Sequence, residues 1–421
     1  MPSFFADYAL LPHGLQANVR VSMVEGVITS VQAGATLSSG EQHCALLLPA
    51  LPNLHSHAFQ RAMAGLAEVQ GDPNDSFWTW RERMYALAAQ LDPAQLFQIA
   101  LNLYQQMRRA GYGHVCEFHY LHHQAGGKPY APAHAMSLAL IEAAREADLG
   151  LTLLPVLYMS GGFDGAPLSC RQQRFGHSVE NFLRLAETLM RYESADLRVG
   201  LALHSLRAVP ASALTEVLTG FGEISQGPRP IHIHISEQQA EVDACLAERG
   251  CTPISWLMEH APVDQNWCLV HATHASAQEL AEMAKRAVVV GLCPTTEANL
   301  GDGLFPLPEF LAHDGRWGIG SDSQICVDPF EELRWLEYGQ RLRTQRRNVL
   351  ARTDSPRVAE NLYLQAARGG SSASGLALGQ IAMGASARLL SVRDPQHLRC
   401  GAELLSTLLF RVPHELEVQI L

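Results

Sequence analysis

Hydrophobic positions fall in short runs, and what separates those runs changes once along the chain. From about residue 4 to 46 the apolar segments are brief: 4–11, 19–23 and 27–31. Turn signals at Pro12-His13-Gly14 and Glu25-Gly26 break them up. Short apolar segments between turn residues predict strands, so a small β domain opens the chain. Beyond it, eight apolar runs read as buried strands: 44–54, 113–118, 151–158, 197–203, 231–235, 267–270, 287–292 and 317–320. Helical stretches lie between them, at 93–110, 134–148, 178–192, 211–221, 237–249 and 276–286. Eight strands alternating with helices predict an α/β fold, a (β/α)8 TIM-like barrel, in preference to a doubly wound sheet.

Two more helical stretches follow, 331–350 and 357–367. A Gly/Ser-rich stretch, 368–380, reads as a connector. The segments 404–411 and 416–421 read as strands that return to the opening β domain. The expected organisation is a small β domain built from 1–48 and 376–421 around a barrel spanning 49–375.

Composition narrows the class. The chain has 421 residues, 47% hydrophobic and 17% charged, which is a globular balance and not a disordered one. A net charge of −11 argues against a nucleic-acid surface, which needs a basic face. It also means that an anionic substrate must be held by specific arginines, because the overall field repels it. The nine cysteines contain no CxxC, so neither a disulfide framework nor a thiolate metal cluster is expected. With no signal-peptide pattern and no apolar run of membrane-spanning length, the expected location is the cytoplasm. Neither a membrane nor a nucleic acid is an expected partner. A homodimer is compatible with the pattern, but no stretch demands one.

The candidate chemistry sits where the runs end. The first closes on His55-Ser56-His57, and residues two apart on an extended segment face one side. The fifth alternates isoleucine with histidine, Ile231-His232-Ile233-His234-Ile235, and continues into Ser236-Glu237. The sixth ends at Val270-His271, and the eighth runs into Ser321-Asp322-Ser323. In such barrels the C-terminal strand ends carry the active site. Three imidazoles and a carboxylate suit one divalent ion such as Zn2+, although Fe, Mn or Ni accept the same donors. Such an ion makes water acidic enough to act as a nucleophile near neutrality. Glu237 is placed to shuttle protons, His271 to polarise the group under attack, and Asp322 both to ligate and to accept a proton. His232 reads as an interior histidine one layer below, and His274 as a residue of the following loop. His119, His122 and His123 read as a loop cluster, not a second metal site.

These motifs resemble the amidohydrolase superfamily. The chain has no lysine at the end of the fourth run, where one branch uses a carbamylated lysine to bridge two metals. The resemblance therefore favours the one-metal, deaminase-like branch. Within it the stretches NLHSHAFQRAMAG (53–65), FWTWRERMY (77–85), EFHYLHH (117–123), LHSLRAV (203–209), HIHISEQ (232–238) and EELRWLEYGQRL (331–342) are similar to the formimidoylglutamate deiminases of histidine breakdown. That resemblance implies His55, His57, His234 and Asp322 as ligands of one Zn2+. It implies Glu237, His271 and Asp322 as the proton-transfer groups, and Gln60, Arg81, Tyr120, His204 and Arg207 as substrate contacts. The implied reaction is hydrolytic deimination of N-formimidoyl-L-glutamate to N-formyl-L-glutamate and ammonia.

The residues independently suit a small anionic substrate, since Arg207 and Arg81 can each pair with a carboxylate. For Arg81 the competing reading is a surface ion pair with Glu82 or another neighbour. The rival functions are a deaminase of a base such as guanine, cytosine or adenosine, and a non-catalytic assembly protein. The chain departs from the family pattern at 325–330 and from about 385, where Ser386-Ala387-Arg388-Leu389 replaces the usual Ala-Asp-Leu stretch.

Overall fold

The run read as a single strand through residue 50 is where the chain passes from one sheet into another. In the computed structural model, residues 3–70, 76–353, 355–394, 401–411 and 416–421 are described. Strands β1 (Ser3–Leu11), β2 (Gly14–Val24) and β3 (Val27–Gln32) form an antiparallel meander, and β4 (Gln42–Pro49) lies parallel to β1. After Ala50 the chain starts β5 (Leu51–Ser56), the first strand of the barrel. The break falls within two residues of the expected boundary at 48/49, although the apolar run across it is continuous because both halves are buried.

The barrel continues with β6 (Tyr112–His119), β7 (Gly150–Leu157), β8 (Leu197–Val199), β9 (Leu201–Leu203), β10 (Ile231–Ile235), β11 (Trp267–His271), β12 (Val289–Leu292) and β13 (Arg316–Ile319). The order is β13-β12-β11-β10-β9-β7-β6-β5, all parallel, with β8 also on β7. Thus eight strand positions stand, the fourth divided at Gly200. A side chain at Gly200 would meet the Pro230 carbonyl at 2.7 Å. The barrel closes between its first and last strands. His57 N donates to the Asp322 carbonyl (3.1 Å), and Asp322 N donates to the His55 carbonyl (3.0 Å). That closure joins two of the candidate metal-binding segments.

Two elements differ from the sequence expectation. The Gly/Ser stretch is no connector at its start: one helix, Val358–Ser374, runs through it. A side chain at Gly369 would overlap the Trp317 carbonyl, and one at Gly370 would press on Pro52 at 2.8 Å. The helix lies across the barrel floor, and the glycines permit that approach. The floor is polar and paired: His232 Nε2 meets the Ala373 carbonyl at 2.8 Å, and Thr152 Oγ1 donates to the Ser374 carbonyl at 2.9 Å. The run at 404–411 is likewise no strand. It forms the helix Gly401–Phe410, whose Leu404, Leu405, Leu408 and Leu409 are buried at helical spacing.

The last strands do return. β14 (Leu389–Arg393) pairs with β4, and β15 (Glu417–Ile420) pairs with β14, giving a separate six-stranded sheet, β15-β14-β4-β1-β2-β3. The unusual Ser386–Leu389 segment therefore leads directly into a paired strand. Residues 395–400 and 412–415 of the expected C-terminal part lie outside the described residues, as does Cys400. The other eight cysteines are free thiols.

Candidate metal centre and substrate cleft

The C-terminal strand ends converge on one point. Nε2 of His234 lies 3.0 Å from Nε2 of His55 and 3.3 Å from Nε2 of His57. Asp322 Oδ1 is 3.4 Å from His55 Nε2 and 3.3 Å from His57 Nε2. All four side chains are buried. The alternation of β10 turns His232 and His234 to one side, into different layers. His234 reaches the upper end, and His232 pairs with the floor helix.

Tautomers show what belongs there. His57 Nδ1 donates to the Phe118 carbonyl (2.9 Å) and His234 Nδ1 to the His204 carbonyl (3.0 Å). Each imidazole thus spends its proton on the far nitrogen and turns a lone pair inward. Lone pairs facing each other at such distances repel unless a cation lies among them, so this donor set fits a divalent ion. Burial holds His55 down to about 3, with Asp322 opposing, and it lowers His57 and His234 as well. Burial pushes the Asp322 carboxyl up, but His55, His271 and His57 together overcome it and keep it ionised.

Beside the cluster stands an acid–base set. His271 Nε2 lies 3.7 Å from Glu237 Oε1 and 3.7 Å from Asp322 Oδ2, while its Nδ1 meets Glu297 Oε1 at 3.2 Å. Burial works against charge on His271, yet Glu237, Glu297 and Asp322 carry it up to about 10. Glu237 is pushed up to about 7, by burial first, with His271 opposing and Asp322 adding. Left-handed backbone clusters at these strand ends, at Ser236 (φ 49°), His271 (70°), Ala272 (49°), Asp322 (45°) and Gln324 (66°). Non-glycine residues adopt that conformation rarely, and functional sites are where such strain collects.

A cleft opens above the cluster. Ten of the eleven anticipated site residues line it, and His55 lies just behind them, fully buried. Gln60 Nε2 donates to the Tyr120 hydroxyl at 2.8 Å, and Gln60 Oε1 is buried without a partner. Arg81 stands on the helix Phe77–Ala88. It does not pair with Glu82, which pairs with Arg171 instead. Nε of Arg81 and of Arg207 are both buried without a partner.

His119, His122 and His123 lie elsewhere. His119 closes β6 and is not in the loop, while His122 and His123 meet the Val156 and Gly176 carbonyls. His274 follows β11 in a loop, as expected.

Several supporting residues escaped the sequence reading. Glu117 accepts from Ser56 Oγ and Ala58 N, both at 2.6 Å, and so holds the HSH turn. Its signal was an acid inside the apolar run Val115-Cys116-Glu117-Phe118. Gln324 Nε2 donates to Ser56 Oγ (2.9 Å) and the Asp322 carbonyl (2.6 Å), and Gln324 Oε1 accepts from Ser321 Oγ (2.7 Å). Asn53 Nδ2 donates to the same serine oxygen at 2.7 Å. Glu297 carried no sequence signal.

Residues 46–409 match the model of the amidohydrolase family, and residues 1–44 match that of the N-terminal domain of formimidoylglutamate deiminase HutF. With a parallel eight-stranded barrel and a His/Asp cluster at its strand ends, the chain belongs to the amidohydrolase family. It is 51% identical over 393 residues to the formimidoylglutamate deiminase of Pseudomonas aeruginosa, covering 93% of this chain and 86% of that one. It is 26% identical over 372 residues to a 5-methylthioadenosine/S-adenosylhomocysteine deaminase of Natronomonas pharaonis, covering 87% and 78%. The crystal structure of an amidohydrolase from Brucella melitensis is similar at a TM-score of 0.93 and 42% identity, covering 99% of this chain and 92% of that one. An adenosine deaminase from Xanthomonas campestris with bound zinc shares the fold at a TM-score of 0.78 and 20% identity, covering 99% and 91%.

Proposed function

We propose that the chain hydrolyses N-formimidoyl-L-glutamate to N-formyl-L-glutamate and ammonia. The observation that carries the substrate is the pair of arginines, Arg81 and Arg207, in the wall of the same cleft as the His/Asp cluster. Each has a buried nitrogen without a partner, and the substrate brings two carboxylates. The 51% identical relative bears the name of this activity.

His55, His57, His234 and Asp322 would hold one divalent ion, with Zn2+ the first choice given the zinc-bound relative of the same fold. Such an ion is a Lewis acid that makes water nucleophilic at neutral pH. The chain's own groups do the rest. Arg81 and Arg207 fix the glutamate end, and the unpartnered Gln60 Oε1 accepts from the formimidoyl N–H. Asp322 takes one proton from the attacking water as Glu237 gives its proton to the imine nitrogen. His271, charged and pinned by Glu297, donates its Nε2–H to the oxygen being added. The adduct then collapses: Asp322 passes its proton on to the same nitrogen, which leaves as ammonia, and Glu237 regains a proton from the hydroxyl that becomes the formyl oxygen.

The test is ammonia release by metal-assayed protein with N-formimidoyl-L-glutamate, guanine, cytosine and adenosine in parallel. Turnover of the first alone is expected, and Arg207→Ala should raise its KM by about a hundredfold as a charged hydrogen-bonded pair is lost. Turnover of a base would overturn the substrate reading.

A further inference from the structure

The indole of Trp78 faces two cations brought by two different elements. Trp78 lies on the helix Phe77–Ala88, three residues before Arg81, and the Arg81 guanidinium carbon is 4.4 Å from the ring centroid. The Arg207 guanidinium carbon, carried in from beyond β9, is 5.6 Å from the same ring. Among the described residues no carboxylate lies within ion-pair distance of either arginine. Two unpaired guanidinium groups in one cleft repel each other. An aromatic face attracts both, and a planar guanidinium stacks on it in a defined orientation.

We infer that Trp78 is a positioning residue that holds Arg81 and Arg207 together as one receptor, and so sets the preference for substrates bearing two carboxylates over those bearing one. It is not among the residues that line the cleft beside the candidate metal ligands. It acts through the arginines, so its removal lowers affinity for the dianion and leaves the chemical step alone. The inference rests on the reading that the cleft takes a dicarboxylate, and the probe below is read without turnover.

Glutarate binding is measured by calorimetry on the metal-loaded protein, with butyrate as the one-carboxylate control. Trp78→Phe and Trp78→Tyr keep an aromatic face, whereas Trp78→Leu keeps only bulk. Glutarate affinity should fall about tenfold in Trp78→Leu and less than about threefold in the two aromatic variants, the scale of a cation–π contact. Butyrate should bind weakly and alike to all four proteins. In kinetics, Trp78→Leu should raise KM for N-formimidoyl-L-glutamate with kcat within about threefold. A merely structural role predicts affinities that follow the thermal midpoints, with no rescue by phenylalanine, and that result overturns the inference. So does glutarate binding that is absent from the parent protein or unchanged in Trp78→Leu. If the parent binds glutarate through Trp78 yet releases no ammonia from N-formimidoyl-L-glutamate, the proposed reaction falls and the platform stands.

Discussion

The proposed proton transfer rests on Glu237 and on what its surroundings do to it. A carboxyl with a usual value near 4.5 is carried up to about 7, by burial first, so its proton-bearing form persists toward neutral pH. A group that must deliver a proton has to carry it, and the carrying fraction declines as pH rises through that value. Therefore kcat/KM should fall above about pH 7, approaching tenfold per pH unit. A rate–pH profile flat to pH 9 would mean that another group supplies the proton. Replacing the acid tests the same role differently. Glu237→Gln should leave metal content unchanged and lower kcat by about a hundredfold or more. Full activity in that variant would remove Glu237 from the chemistry.

At the scale of elements, the helix Val358–Ser374 decides the geometry of the barrel floor. Glycine and serine are poor helix residues, which is why 368–380 reads as a connector. Contact overrides propensity here. The helix passes close enough to β13 and β5 for a methyl group at Gly369 to collide with the Trp317 carbonyl. Gly369→Ala should destabilise the fold by about 3 kcal/mol, the upper range for overpacking a rigid backbone contact. Urea unfolding checks this, with Gly222→Ala, which faces open space, as the control. A stability equal to the control's would mean that the floor adjusts easily. The Leu404–Leu409 segment teaches the reverse lesson. Four buried leucines at positions i, i+1, i+4 and i+5 suit a helix stripe, yet a short apolar run looks the same for a strand.

For the whole molecule, an ion held by the converging imidazoles would couple its binding to the barrel's closure. The His55–Ser56–His57 segment and Asp322 are hydrogen-bonded across the seam between β5 and β13, so an ion held by both clamps that seam. Stripping the ion with dipicolinate should abolish ammonia release and lower the thermal midpoint, and Zn2+ should restore both. An ion present at a hundred times its Kd contributes about 2.7 kcal/mol to folding. An unchanged midpoint after stripping, checked by metal analysis, would show that the seam holds without it.

The eight apolar runs alternating with helical stretches were sufficient by themselves to indicate a barrel, and the Ile/His alternation through 231–235, the HSH after the first run and the Asp322 beyond the last were sufficient to indicate a His/Asp cluster at its strand ends. They were sufficient because burial on both faces and a two-residue side-chain period are local properties, written in neighbouring residues. Only the tertiary structure decided which partners those residues meet. Ser56 with Glu117 and Gln324, His271 with Glu297, and Trp78 with Arg207 are far apart in sequence, and no local pattern couples them. The helix through 368–374 was decided in the same way. A chain records which side of a segment is buried, whereas what it is buried against follows from packing.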